Sequence, residues 1–417
     1  MRGRVVEFET GRPLAGRRVV VGSSLTKRAP VTETDADGFF EFVVSGAYQA
    51  LVIDPDGSTI SFYQGLTGSE PVLVHYPSPD DSGGERKVAK VTGSLSGGAS
   101  YPLTDPNDLV IVHFFGSEVT TRAYVGSGVM SQGPDYALWP SFASPQLAGT
   151  IVALGIFRDP ADSNAYSAAA AMKKLSVVGG DAYTQDLALV PLPLGRVSGK
   201  VNVPDGWTFT QTSEYYRFPI PNAKVGFSNA PQTRVNPLTN AGAFEYQLPD
   251  LRKLGGQLCE AGLAMEPASD DDSAPIADGS LWSEVCDLPL DGDSIELDFE
   301  AVPSVSATAP GAVFGAGVRF AWSRQGSARA PNLVRLEPGL ASAETPLISV
   351  FTTSVSATLP DLKVWGIELP PAAAYNARPV ALASDASNAF AADGLGALTP
   401  RSRRISSGSG VPFVVRP

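Results

Sequence analysis

Apolar and polar residues alternate along most of this chain in short runs, and each run ends in a cluster of Gly, Pro, Asp or Asn. Period two is the signature of a strand with one buried face. The opening stretch sets the plan. Gly3–Val6, Arg18–Val21, Phe39–Val43, Tyr48–Ile53, Thr59–Tyr63 and Val72–Tyr76 read as strands, with tight turns at Thr34–Gly38 and Asp54–Gly57. The fold class predicted is all-β, a row of tandem β-sandwich domains.

The plan restarts along the chain. Region 1–87 ends in SPDDSGGER, which reads as a linker. Region 88–194 opens on Val91–Leu95 and holds Leu109–Phe115, an apolar run suited to a strand buried on both faces. One short helix is expected near 162–174. Asp162 or Ser163 would cap it, and Ala168–Ala171 has high helix propensity. Region 195–302 restarts at Arg196–Val201. There Pro219–Val225 parallels Pro13–Val19, and Thr239–Tyr246 parallels Thr34–Phe42, an internal repeat. Region 303–417 departs from the pattern, with a Trp322 strand, Leu347–Thr353 and Val364–Leu369. It ends in an Arg/Ser/Gly-rich stretch from Pro400 to Gly410, expected as a mobile basic tail.

Length and charge narrow the field. The 417 residues are too many for one ordinary core. The net charge is −12 and the only basic cluster is Arg401–Arg404, which argues against nucleic acid and acidic membrane surfaces as partners. No apolar run reaches the ~20 residues of a membrane-spanning helix. No signal peptide is visible at Met1, so either a leader has been removed or the chain is cytoplasmic. The two cysteines, Cys259 and Cys286, predict a disulfide and an oxidising compartment, with two independent buried thiols as the alternative.

The residues Gly-Arg-Val-Val, Gly-Arg-Pro-Leu-Ala-Gly and Thr-Asp-Ala-Asp-Gly-Phe-Phe of the first region resemble the carboxypeptidase regulatory-like domain, a transthyretin-like β-sandwich. A degraded form of the same motif stands in 195–302, where Asn240-Ala241-Gly242 replaces the acidic turn. In 88–194 only the opening strand fits. The last region is similar to a fibronectin type III or Ig-like sandwich in its Trp322 strand and Leu359–Leu362. The arrangement resembles multi-domain surface lipoproteins of Gram-negative bacteria such as myxobacteria. That resemblance implies non-catalytic modules for spacing, adhesion or ligand binding at the cell surface.

Candidate chemistry is sparse. His75 and His113 lie inside apolar runs and read as core residues. There is no HExxH, no G-x-S-x-G, no P-loop and no dinucleotide fingerprint. Glu33–Gly38 imitates the front half of a calcium loop, making Asp35 and Asp37 weak metal candidates. Glu33 and Val44 spoil it, and a structural turn is the competing reading. Asp270 and Asp272 form a second weak candidate. Trp207, Tyr215 and Tyr216, in a polar loop, together with Trp139 and Trp282 are candidate sugar-binding aromatics, with at least one of the adjacent tyrosines expected to be exposed and packing on its own domain as the competing reading of Trp207. The expected protein is non-enzymatic, extracytoplasmic and without a cofactor. The alternatives are a carbohydrate-binding protein or a hydrolase whose acids meet across domains.

Overall fold

The computed structural model describes residues 1–8, 11–78, 86–97, 109–116, 120–125, 135–159, 161, 165–218, 224–226, 232–233, 241–265, 280–299, 304–306, 319–323, 332–339, 342–352, 354–370, 374–384, 402–407 and 411–414. The fold is all-β. Among the described residues the only helical turns are the short 3-10 segments Arg252–Leu254 and Leu362–Trp365.

One seven-strand plan occurs three times. In the first unit the strands are Arg2–Glu7, Arg18–Gly22, Val31–Glu33, Phe39–Glu41, Tyr48–Ile53, Thr59–Leu66 and Val72–His75. Strands one, four and seven form a small sheet in which strand one lies antiparallel to strand four and parallel to strand seven. Strands three, two, five and six form the facing sheet in that order.

The third unit repeats every pairing. Leu194–Asn202 lies between Ala241–Pro249 (antiparallel) and Ile295–Asp298 (parallel). The facing order is Lys224–Gly226, Thr208–Arg217, Gln257–Met265 and Ser280–Cys286. The second unit follows the plan too. Lys90–Gly97 pairs with Asp135–Leu138 (antiparallel) and with Ala182–Thr184 and Leu187–Leu192 (parallel). Its facing order is Thr120–Val125, Leu109–Gly116, Gln146–Arg158 and Tyr166–Val178.

A glycine opposite an aromatic residue marks the first strand of each unit. Gly3 pairs with Phe40, Gly93 with Tyr136 and Gly199 with Phe244. A Cβ on Gly3 or Gly199 would come within 2.3 Å of the partner's ring, so the ring lies over the glycine. A Cβ on Gly93 would meet the Gln185 carbonyl at 2.0 Å and the Tyr136 ring at 3.0 Å. These rings stand where a side chain would otherwise fill the core.

The repeat differs from the sequence alignment by one strand. Lys224–Gly226 takes the edge place of Val31–Glu33, not that of Arg18–Gly22. The second position belongs to Thr208–Arg217, a strand where the polar composition predicts a loop.

The expected helix near 162–174 is a strand, Tyr166–Val178. Its caps Asp162 and Ser163 lie outside the described residues. The alanines are buried on both faces: Ala169 and Ala171 in the second unit's own core, Ala170 against the third unit's core. Phe115, Val152, Leu154 and Tyr166 of the second unit join that same third-unit core. A small side chain is needed where two layers close on one strand, and this packing overrides helix propensity.

The C-terminal unit is built differently. Arg319–Ser323 pairs antiparallel with both Ser304–Ser306 and Ser356–Thr358. Asn332–Pro338 lies between Leu347–Thr352 and Ala374–Ser384. The stretch expected as a mobile tail supplies Ser402–Ser407, which lies between Ala374–Ser384 and Ser280–Cys286, while Val411–Val414 pairs along Ala374–Ala377. Leu347–Thr352 pairs parallel with Thr59–Leu66. One sheet therefore runs from the first unit through the C-terminal unit into the third. At the first junction the rings of Tyr63 and Phe351 stack with centroids 4.6 Å apart. Val20, Leu51 and Phe62 share a core with Leu336, Val350 and Trp365. No helix is long and apolar enough to cross a membrane among the described residues.

Candidate functional site

The turn at Asp35 and Asp37 follows from local hydrogen bonding. Asp35 Oδ1 accepts the backbone N–H groups of Asp37 (3.0 Å) and Phe39 (2.8 Å). Gly38 has φ of +77°, and a Cβ there would come within 2.5 Å of the Val5 carbonyl. Asp35 is therefore committed to shaping the turn, and the Asp37 carbonyl accepts from Arg4 Nε at 3.0 Å. Asp270 and Asp272 lie outside the described residues.

Among the described residues, one buried polar constellation matches no motif in the sequence. Arg17, Asp54, Thr59, Ser61 and His75 converge in the first unit, all nearly inaccessible. Arg17 Nε lies 2.5 Å from Asp54 Oδ1, and His75 Nε2 lies 3.1 Å from the same oxygen. Ser61 Oγ is 2.8 Å from His75 Nδ1. The Thr59 hydroxyl and the Ser78 backbone N–H donate to Asp54 Oδ2. Burial pushes the Asp54 carboxyl up. The hydrogen bond to His75 and the charges of His75 and Arg17 outweigh it and hold the carboxyl below its ordinary value.

A hydroxyl, an imidazole and a carboxylate in line are the parts of a hydrolytic triad. Here Ser61 is 1% exposed and His75 0%, so no substrate carbonyl reaches the hydroxyl. The cluster instead ties three places together: the entry to the second strand, the turn between strands five and six, and strand seven. Only the spacing of Asp54, Thr59 and Ser61 around one turn hinted at it.

The third unit carries a covalent staple. Cys259 and Cys286 face each other across two antiparallel strands and form a disulfide. Beside it Glu284, fully buried, accepts hydrogen bonds from the Tyr215 hydroxyl and the Arg217 guanidinium. The Lys224 ammonium stands 5.1 Å from the centre of the Tyr215 ring.

The expected aromatic platform is not assembled. Tyr215 and Tyr216 alternate across a strand, but both faces are covered: Tyr215 is buried against the disulfide and Tyr216 in the core. Trp207 is half-buried against that core. Trp139 differs. It is 56% exposed and directly follows the strand Asp135–Leu138, between the buried Leu138 and Pro140.

The two histidines lie inside, as their sequence context predicts. Burial, with a smaller contribution from Arg122, pushes His113 down to about 4.

No protein-family profile matches the chain, and no curated protein matches it. Among solved structures it is similar to a leucine-rich repeat protein from Bacteroides thetaiotaomicron, at 9% identity over 51% of this chain and 26% of that one, with a TM-score of 0.16. It is also similar to a DUF3823 family protein from Parabacteroides merdae, at 12% identity over 43% of this chain and 92% of that one, with a TM-score of 0.13. A third likeness is to a streptococcal ancillary pilin, at 8% identity over 71% of this chain and 97% of that one, with a TM-score of 0.14. The chain thus spans about a quarter of the length of the first of these. Likenesses at this level carry no argument about what the chain does.

Proposed function

We propose that the chain is a non-enzymatic, extracytoplasmic β-scaffold of the cell envelope, organised as domains 1–87, 88–194, 195–302 and 303–417, with a structural or adhesive role. The observation that carries this reading is how the polar groups and cysteines are used. The chain's best acid–base–hydroxyl cluster is sealed in a core, and its two cysteines staple a sheet. Both features add rigidity and hold their own reactive groups out of reach of a substrate. A disulfide used in this way fits an oxidising compartment. The carboxypeptidase regulatory-like resemblance of the opening motif agrees with a spacing module.

The test combines cell fractionation of the natural producer with thiol titration of the denatured, unreduced protein. The expected result is an envelope or secreted fraction with no free thiol. A cytoplasmic pool with two free thiols would contradict the proposal. Carbohydrate binding is the second reading, and exposed Trp139 favours it. Replacing Trp139 with Ala would abolish glycan binding without lowering the melting temperature. Unchanged glycan binding in that variant would remove this reading.

A further inference from the structure

Three strands occupy the sixth position of the repeated plan, and two of them are covered. Thr59–Leu66 is paired by Leu347–Thr352, and Ser280–Cys286 by Ser402–Ser407. The third is Tyr166–Val178. It pairs with Gln146–Arg158 over its full length, but on its other side Leu187–Leu192 meets it only at Ala168–Ala170. From Leu189 back to Leu187 that neighbouring strand pairs with Lys90–Gly97 instead. Among the described residues, the stretch 171–177 therefore has an open edge with a row of backbone donors and acceptors, closed at Val178, whose N–H donates to the Tyr183 hydroxyl at 2.8 Å.

We infer that this edge is a docking site for an extended, acidic segment of a partner protein, which adds to the sheet as a further strand. Three observations support it. The same molecule already uses the equivalent edge twice for strand pairing, so the geometry accepts a neighbour. A cavity of about 530 Å³ opens where the two strands part, floored by Ala170, Met172, Leu187 and Leu192. Alternate side chains of an added strand would place an apolar group in it. The charge around it is basic in a chain of net charge −12. Lys173 and Lys253 line the cavity, and Lys174 is exposed beside them. The one acid among the lining residues, Asp186, accepts hydrogen bonds from the backbone N–H and hydroxyl of Ser94, both at 2.9 Å, and also feels the charge of Lys173, which leaves Lys253 and Lys174 as the positive charges it does not offset.

The lysines also speak against a second copy of this chain as the occupant. Two such edges pairing about a twofold axis would gather four lysines, a standard way in which sheets avoid pairing with themselves. An acidic strand turns the same lysines into attraction. This inference does not depend on the compartment proposed above.

The test uses the full chain, hydrogen exchange and two synthetic peptides. One is SIELDFE, the chain's own acidic, alternating stretch 294–300; the other is SIKLKFK, its basic counterpart. SIELDFE is expected to slow exchange within 171–177 at micromolar to millimolar concentration, and SIKLKFK is not. The double variant Lys173→Glu and Lys174→Glu, both at exposed positions, is expected to weaken SIELDFE at least tenfold and to favour SIKLKFK. Protection by both peptides or by neither would overturn the inference. So would protection that appears without peptide and rises with protein concentration, because a second copy would then be the occupant.

Discussion

The first and third units share seven strands, one topology and a glycine under an aromatic ring, yet they are fastened by different chemistry. The first is held by a buried ion cluster around Asp54, the third by the Cys259–Cys286 disulfide. In the first, the fastening reaches strands two, five, six and seven from one turn. In the third it joins neighbouring strands five and six, and the Tyr215–Glu284–Arg217 bonds extend it to strand two. The topology therefore does not prescribe its own reinforcement. The backbone plan is fixed by strand pairing and the glycine–aromatic pairs, and each unit adds the fastening its local side chains permit.

Breaking the two fastenings should separate the units energetically. Replacing Asp54 with Ala strands the Arg17 guanidinium and His75 in the core, and should cost about 3–5 kcal/mol in denaturant unfolding of the first unit. Replacing both cysteines with Ser should cost about 3 kcal/mol in the third unit and leave the first unit unchanged. Equal losses in both units for either variant would show that the fastenings are not local.

Among its described residues the second unit has neither device, and its weak point is a buried imidazole. The folded state keeps His113 neutral down to about 4, while the unfolded chain takes up a proton near 6.5. Stability should therefore fall as pH drops from about 6.5 to about 4, by up to about 3 kcal/mol, and level off below. His113→Gln should flatten that slope. Smaller still is the effect of a methyl group on the shared glycines. Gly3→Ala, Gly93→Ala and Gly199→Ala should each cost about 1–3 kcal/mol, in chemical denaturation followed unit by unit. A neutral result at one of them would show that its ring or facing carbonyl moves aside and that the three positions are not equivalent.

Much of the architecture was legible in the sequence. Alternation and turn residues located nearly every strand of the first unit, and the Gly3 and Phe40 motif reappears as Gly199 and Phe244. What escaped had a tertiary cause. Ala168–Ala171 carries a helical preference that only burial between two units reverses. Tyr215 and Tyr216 alternate as a strand should, but nothing local says that both faces are covered. Ser402–Ser407 looks like a tail because its partners lie far away in sequence. Of the candidate site residues, Cys259 and Cys286 announced their pairing by number and context. The Asp54 cluster did not, because its members are gathered from three separate places in the chain.

Among the described residues, the sixth strand position is covered in two units and open in the third. Native-state hydrogen exchange of the free protein compares the three directly. Thr59–Leu66 and Ser280–Cys286, paired on both sides, should hold nearly all their amide hydrogens until global unfolding. In Tyr166–Val178 the outward-facing amides between Ala170 and Val178 should exchange at close to solvent rates, while the Val178 amide, bonded to the Tyr183 hydroxyl, should be slower. Uniform protection along all three strands would contradict the claim.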